Sequence, residues 1–165
     1  VAWVGAEFVY LKGRSEPNLV HDRALFARYD ELLPEADLRW EFDNELFNLH
    51  TDTGFTKRLR RFVELAKREE GRFLQTEVCS ATETLQGAMH SLDGFILKHF
   101  FVPLHGAILE GDEEYIALYP EQRNSSEEWQ RAKFDALAEQ LAVLVAAVNQ
   151  AYISWRSAVK KRLAV

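Results

Sequence analysis

The chain has 165 residues and a net charge of −6, long enough for one domain that buries roughly 70% of its unfolded surface. Four prolines and eight glycines are too few for a fold of many short strands joined by turns. The acidic balance disfavours general nucleic-acid binding, and the single cysteine, Cys79, excludes an internal disulfide framework.

Residues 1–11 (VAWVGAEFVYL) are apolar except at Glu7 and are followed by Lys12, Gly13 and Arg14. Residues 1–15 therefore read as an apolar N-terminal segment of their own. It is either the last turns of a membrane helix that begins upstream or an ordinary N-terminal core helix or strand. In both cases it has to bury against this chain, another chain or lipid, and a helix that projects from the bundle or covers an apolar surface is expected. No uninterrupted run of 18 apolar residues exists anywhere in the chain, so no segment reads as a complete membrane span. Residues 16–165 read as a single helical bundle domain.

Within that domain, Leu25, Phe26, Tyr29, Leu32 and Leu33 recur at helical spacing before Pro34 stops the helix. Residues 38–49 (LRWEFDNELFNL) fit a short helix or an irregular packing segment. Thr51, Asp52 and Thr53 are capping residues for a helix that runs to about Arg68. Its Phe55, Leu59, Phe62, Val63 and Ala66 fall in a stripe of about 100°, the width of a core-facing face, and Gly71 closes it. Between Thr51 and Arg72 seven basic residues outnumber four acids, whereas residues 16–48 and 110–139 each carry nine acids against three arginines or lysines.

The next helix, residues 74–101, carries Val78, Ala81, Leu85, Met89, Leu92, Ile96 and Phe100 as a core stripe. On another face Ser80, Gly87 and Gly94 lie seven apart. A helical glycine costs about 1 kcal/mol unless packing returns it, so Gly87 or Gly94 is expected at a close helix crossing, and this helix is expected to be the most buried. Residues 102–124 form a long connection whose Tyr115, Ile116, Leu118 and Tyr119 suggest that it packs down. Ser125 and Glu128 then have the spacing of a capping box that opens a C-terminal helix of nearly forty residues. Its stripe is Phe134, Leu137, Leu141, Leu144, Val148, Tyr152, Trp155 and Val159, and at residues 141–148 (LAVLVAAV) it is apolar all round. The fold class is all-α: a helical bundle of about four main helices with a long connection before the C-terminal helix.

Chemistry is sparse in this pattern. The residues three before His21, His50, His90, His99 and His105 are Asn18, Phe47, Gly87, Ile96 and Val102, so no Glu-x-x-His pair points to a carboxylate-bridged metal site. Cys79 and His90 are eleven residues apart, roughly 16 Å along a helix, too far for a dyad. His99 reads as a core histidine bonded to a neighbour. No glycine-rich phosphate loop occurs, and no cofactor is implied. The strongest surface feature is the basic helix at residues 57–68, with Lys57, Arg58, Arg61 and Arg68 as the candidate interaction surface.

Residues 21–34 (HDRALFARYDELLP) resemble the opening of a group of uncharacterised bacterial helical proteins. In that group a single N-terminal membrane helix is followed by an Asp-Arg-x-Leu-Phe…Leu-Leu-Pro segment. Residues 57–65 and the final Glu-Glu-Trp…Trp-Arg-Ser-Ala-Val-Lys-Lys-Arg-Leu helix are similar to that group too, so the resemblance spans residues 20–163. It implies a helical cytoplasmic domain anchored to the inner membrane and supplies no activity; Lys12, Arg14 and Arg23 suit the cytoplasmic side.

Three readings of function follow. The first is a non-enzymatic interaction or sensing domain, membrane-tethered, that contacts a protein partner or a second copy through residues 141–148 and the basic helix. The second is a nucleic-acid-associated or defence-type component using residues 57–68. The third is an enzyme whose site assembles only in three dimensions, from His50, His90, His99 or His105 with nearby acids.

Overall fold

The computed structural model describes residues 3–103, 113–119, 122 and 125–165, with side chains described from Pro17 onward. Five α-helices occur among these residues: α1 (Trp3–Leu32), α2 (Glu35–Trp40), α3 (Thr53–Lys67), α4 (Thr76–His99) and α5 (Glu128–Leu163). The fold is thus mostly helical, as the periodicity predicts, with one addition. Three short strands, β1 (His50–Asp52), β2 (Phe100–Phe101) and β3 (Tyr115–Leu118), form an antiparallel sheet in the order β1-β3-β2.

α1 is continuous through Pro17, so the apolar N-terminal segment and the first bundle helix belong to one helix. Pro17 has no N–H to donate to the turn before it. The helical part of the N-terminal expectation therefore holds from Trp3 on, while what residues 1–11 bury against lies outside the described side chains. Farther along α1, Leu25 and Tyr29 are buried, as is Leu33 just past its end, and Pro34 separates α1 from α2. The chain then tightens irregularly through a π-helical turn (Glu41–Glu45) and a 3-10 turn (Leu46–Asn48).

α3 begins where its cap residues predict. Asp52 is the N-cap, its carboxylate accepting from the Phe55 N–H at 2.6 Å, which satisfies one of the helix's orphan donors. Phe55, Leu59, Phe62 and Val63 are buried, with Ala66 packed behind them. Gly71 ends the 3-10 turn after α3 and has no room for a side chain, since a Cβ there would strike the Leu65 carbonyl.

α4 lies between α3 and α5. Its Val78, Leu85, Met89, Leu92 and Ile96 are buried as the stripe requires, but two expectations about it fail. Gly87 and Gly94 are exposed, and a Cβ on either would meet nothing within 4 Å. The reason is angular: at 3.6 residues per turn these glycines fall about half a turn from the core stripe and face away from both neighbours. Nor is α4 the most buried helix. Eight of its 24 residues are buried against seven of 15 in α3, because α3 is shorter and enclosed along more of its circumference.

α5 runs antiparallel to α4. Near one end, Lys161 and Arg162 reach Glu77, and six to seven residues back along α5 the Trp155 indole N–H donates to Thr82 Oγ1 at 3.0 Å. Phe134, Leu141, Val148, Tyr152, Trp155 and Val159 are buried, and Leu137 and Leu144 pack against them. The expected capping box does not form. Ser125 Oγ accepts instead from the Glu127 N–H at 3.1 Å, and the helix starts with Glu127 as its N-cap.

The centre of the core is an aromatic cluster. Tyr29 lies 4.7 Å from Phe62, 5.5 Å from Phe73 and 6.1 Å from Trp155, ring centre to ring centre. The connection before α5 packs down as its aromatics suggest, by supplying the central strand. Ala117, Ile116 and Tyr115 pair with His50, Thr51 and Asp52, while Leu118 and Ala117 pair with Phe100 and Phe101. His105, Gly106, Gly111 and Pro120 lie outside the described residues.

Candidate functional site

The basic helix forms one wall of a groove. α3 contributes Arg58, Arg61, Glu64 and Leu65, with Arg68 just beyond its end, and α1 contributes Arg28, Glu31 and Leu32; with Glu70 they enclose about 550 Å³. Of the candidate surface residues, Arg58, Arg61 and Arg68 line this groove. Lys57 is exposed on α3 and is not part of the lining. Arg28, which sequence reasoning missed, faces them from an element about thirty residues away, and only the α1–α3 packing reveals it.

Several arginines outside the groove are tied into ion pairs. Arg39 pairs with Glu35 at 2.7 Å, Arg60 with the buried Asp93 at 2.9 Å, and Arg156 with Asp30 and Glu35. In the groove, Arg68 lies 3.6 Å from Glu70. Among the described residues Arg28, Arg58 and Arg61 make no such pair, and the Arg58 Nε is buried without a hydrogen-bond partner. A desolvated donor with no acceptor costs about 1–3 kcal/mol.

Behind α3 lies a cluster of titratable groups. Glu41, in the π-helical turn, is 2% exposed, and its carboxyl accepts from the Thr51 hydroxyl on β1. Burial pushes its pKa up to about 7; the charges of Asp52 and Glu45 add to the rise, and the Thr51 hydrogen bond and Arg58 oppose it. Next to it, His50 Nδ1 contacts Glu45 Oε2, and the His50 ring lies 4.9 Å from Tyr115. Among the described residues this is the one place where a candidate histidine meets a carboxylate, and His50 is only half-buried. His90 is exposed on α4. His99 sits in the last turn of α4, its Nδ1 3.4 Å from the Tyr119 hydroxyl. Burial depresses its pKa, helped by Lys98 and Lys133. Cys79 is half-buried, its thiol 3.7 Å from Glu83. No group of three or more His, Cys, Asp or Glu side chains is arranged to hold a metal ion among the described residues.

The outer face of α5 is the third feature. Val143 is 69% and Ile153 50% exposed, and Ala142, Ala146 and Ala147 are exposed beside them. By length and composition α5 is the one helix among the described residues that could cross a membrane, and only 22% of its most apolar 18 residues are buried. The sequence shows no unbroken run because Gln140, Asn149 and Gln150 interrupt it. The inner face of the same helix, with Tyr152 and Trp155 in the core, gives it a place in the bundle. A groove of about 1000 Å³ follows the α4–α5 seam, lined in part by Ser80, Ala81, Thr84, Ile153, Ser154 and Ser157.

Compared with known protein families, curated proteins and solved structures, the chain matches none.

Proposed function

We propose that the protein is a non-enzymatic interaction domain that self-associates through the outer face of α5, with its N-terminal segment as a tether on the cytoplasmic side of a membrane. The observation that carries this reading is the exposure of Val143 and Ile153 on a face otherwise built of alanine, serine and glutamine. Apolar surface left in water favours association, and small side chains let a second helix approach closely.

Charge placement favours a second copy over an unrelated partner. Between Glu139 and Arg156, α5 carries no charged residue, and Lys160 and Lys161 follow. An antiparallel pairing of two α5 helices centred on Gln150 sets Glu139 of one copy opposite Lys161 of the other, and the reverse at the far end. Val143 then faces Ser157 and Ala146 faces Ser154, so small residues fill the seam. Such an interface is isologous, the commonest kind in homodimers.

Sedimentation equilibrium tests the pairing. The chain should sediment at twice its 19.1 kDa mass, and Val143→Glu should return it to a monomer with an unchanged circular dichroism spectrum. A wild-type monomer at every concentration up to about 100 μM, a Kd corresponding to about −5.5 kcal/mol, would remove the proposal. The tether rests on the apolar residues 1–11 and on the resemblance to membrane-anchored helical proteins. Recovery of the natural protein wholly in the soluble fraction of cells would end that part of it.

The nucleic-acid reading draws on the same arginines as the groove between α1 and α3, but Glu31, Glu64 and Glu70 share its lining. Those carboxylates would repel a phosphate backbone laid along α3.

A further inference from the structure

We infer that the groove between α1 and α3 is a binding site for a compact, phosphate-bearing anion. This site is separate from the α5 face and does not depend on self-association. Four guanidinium groups line it, Arg28 from α1, Arg58 and Arg61 from α3, and Arg68 from the extended residue that ends α3. Its volume of about 550 Å³ falls within the range of small-molecule sites.

Three of these arginines hold no ion pair among the described residues although Glu31, Glu64 and Glu70 line the same groove. Outside it Arg39, Arg60, Arg156 and Arg162 are paired, while Arg23 bonds a backbone carbonyl and Arg72 and Arg131 form no ion pair among the described residues. What sets the groove apart is that its arginines converge on one volume. The groove thus keeps its guanidinium donors uncommitted, and the Arg58 Nε is already stripped of water with no acceptor. An anion bound to Arg58 would supply an acceptor that this donor lacks.

The shape of the donor set selects phosphate. A carboxylate is satisfied by one planar guanidinium fork, whereas a phosphate offers oxygens in several directions to forks arriving from two helices. The three glutamates exclude a long polyanion, because an extended chain of phosphates would run past them, while a short one sits between the arginines. Among the described residues the apolar lining is Leu32 and Leu65, and none of the lining is aromatic. A nucleobase would find no stacking platform, so the phosphate end of the ligand is what the site reads.

The test is isothermal titration of the full chain with sodium tripolyphosphate near physiological ionic strength, about 0.15 M. Citrate, ATP and a short DNA duplex serve as comparison ligands. The expected result is saturable binding at one site per chain. Arg28→Ala/Arg61→Ala removes two exposed arginines and should weaken it about tenfold or more, since hydrogen bonds to charged groups are the strong class. Its thermal melt should match that of the wild type, and Lys98→Ala, exposed on α4 away from the groove, should bind as the wild type does. ATP should bind about as tightly as tripolyphosphate. The proposal is overturned by absence of saturable binding, by equal affinity in the double variant, by citrate matching tripolyphosphate, or by tighter binding of the duplex. An ATP affinity far above that of tripolyphosphate would likewise contradict recognition through phosphate alone.

Discussion

At the scale of single residues, the side chains that fix this fold are polar groups placed where the hydrophobic pattern says nothing. Asp22 on α1 is fully buried, and its two carboxylate oxygens accept from the backbone N–H groups of Leu74 and Gln75 at 2.8 and 2.9 Å, anchoring the turn before α4. Thr82 donates to the Val78 carbonyl and accepts from Trp155, so one hydroxyl joins α4 to α5. None of this is legible in the sequence, because a buried Asp or Thr looks like any surface residue until its partner is known. Glu41 yields a prediction at this scale. Its folded pKa lies at about 7, above its ordinary value of 4.5, so the folded state binds an extra proton between those limits. Stability from this group is full below pH 4.5 and is lost as the pH rises to about 7. Glu41→Gln, which keeps the acceptor for Thr51, should therefore leave stability unchanged near pH 4. It should raise stability by about 3 kcal/mol at pH 8, the size of such a shift. Chemical denaturation at the two pH values measures this, and a Gln variant less stable than wild type at pH 8 would contradict the assignment.

At the scale of elements, legibility follows length. α3, α4 and α5 are long, periodic and correctly placed by their apolar stripes, because many residues vote on each axis. The strands have two to four residues, too few for alternation to show, and β3 pairs with β1 across more than sixty positions of chain. The capping box at Ser125 is misleading because the turn before α5 uses that hydroxyl two residues early, on Glu127. The small-residue face of α4 is placeable from the sequence alone by its angle to the core stripe. Its exposure reverses the expected effect of substitution there. With open space around a Cβ at position 87, Gly87→Ala should stabilise the chain by about 0.5–1 kcal/mol through helix propensity and a less mobile unfolded state. A rise of about 1–4 °C in melting temperature is expected, and a fall would show that something packs closely against Gly87.

At the scale of the whole molecule, the bundle presents two surfaces of different character. The α1–α3 groove is half legible in the sequence: three of its arginines lie close together in the chain, but Arg28 joins them only through tertiary packing. The α5 face is fully legible as an apolar stretch at residues 141–148, and the structure adds which side is covered. Leu141 and Val148 point into the core, while Ala142, Val143, Ala146 and Ala147 do not. Self-association on that face is the central claim, and it fixes a register as well as a surface. Pairing about Gln150 places the two copies of that residue opposite each other on the symmetry axis. The most direct measurement is cross-linking of Gln150→Cys, in a Cys79→Ser background, with a short bismaleimide at low protein concentration. The predicted result is a covalent dimer joined through the two thiols at position 150. That dimer should disappear when Val143→Glu is added, and Lys98→Cys, on an exposed face of α4, should not form one. A monomeric product from the Gln150→Cys chain, or equal cross-linking from position 98, would contradict self-association in this register.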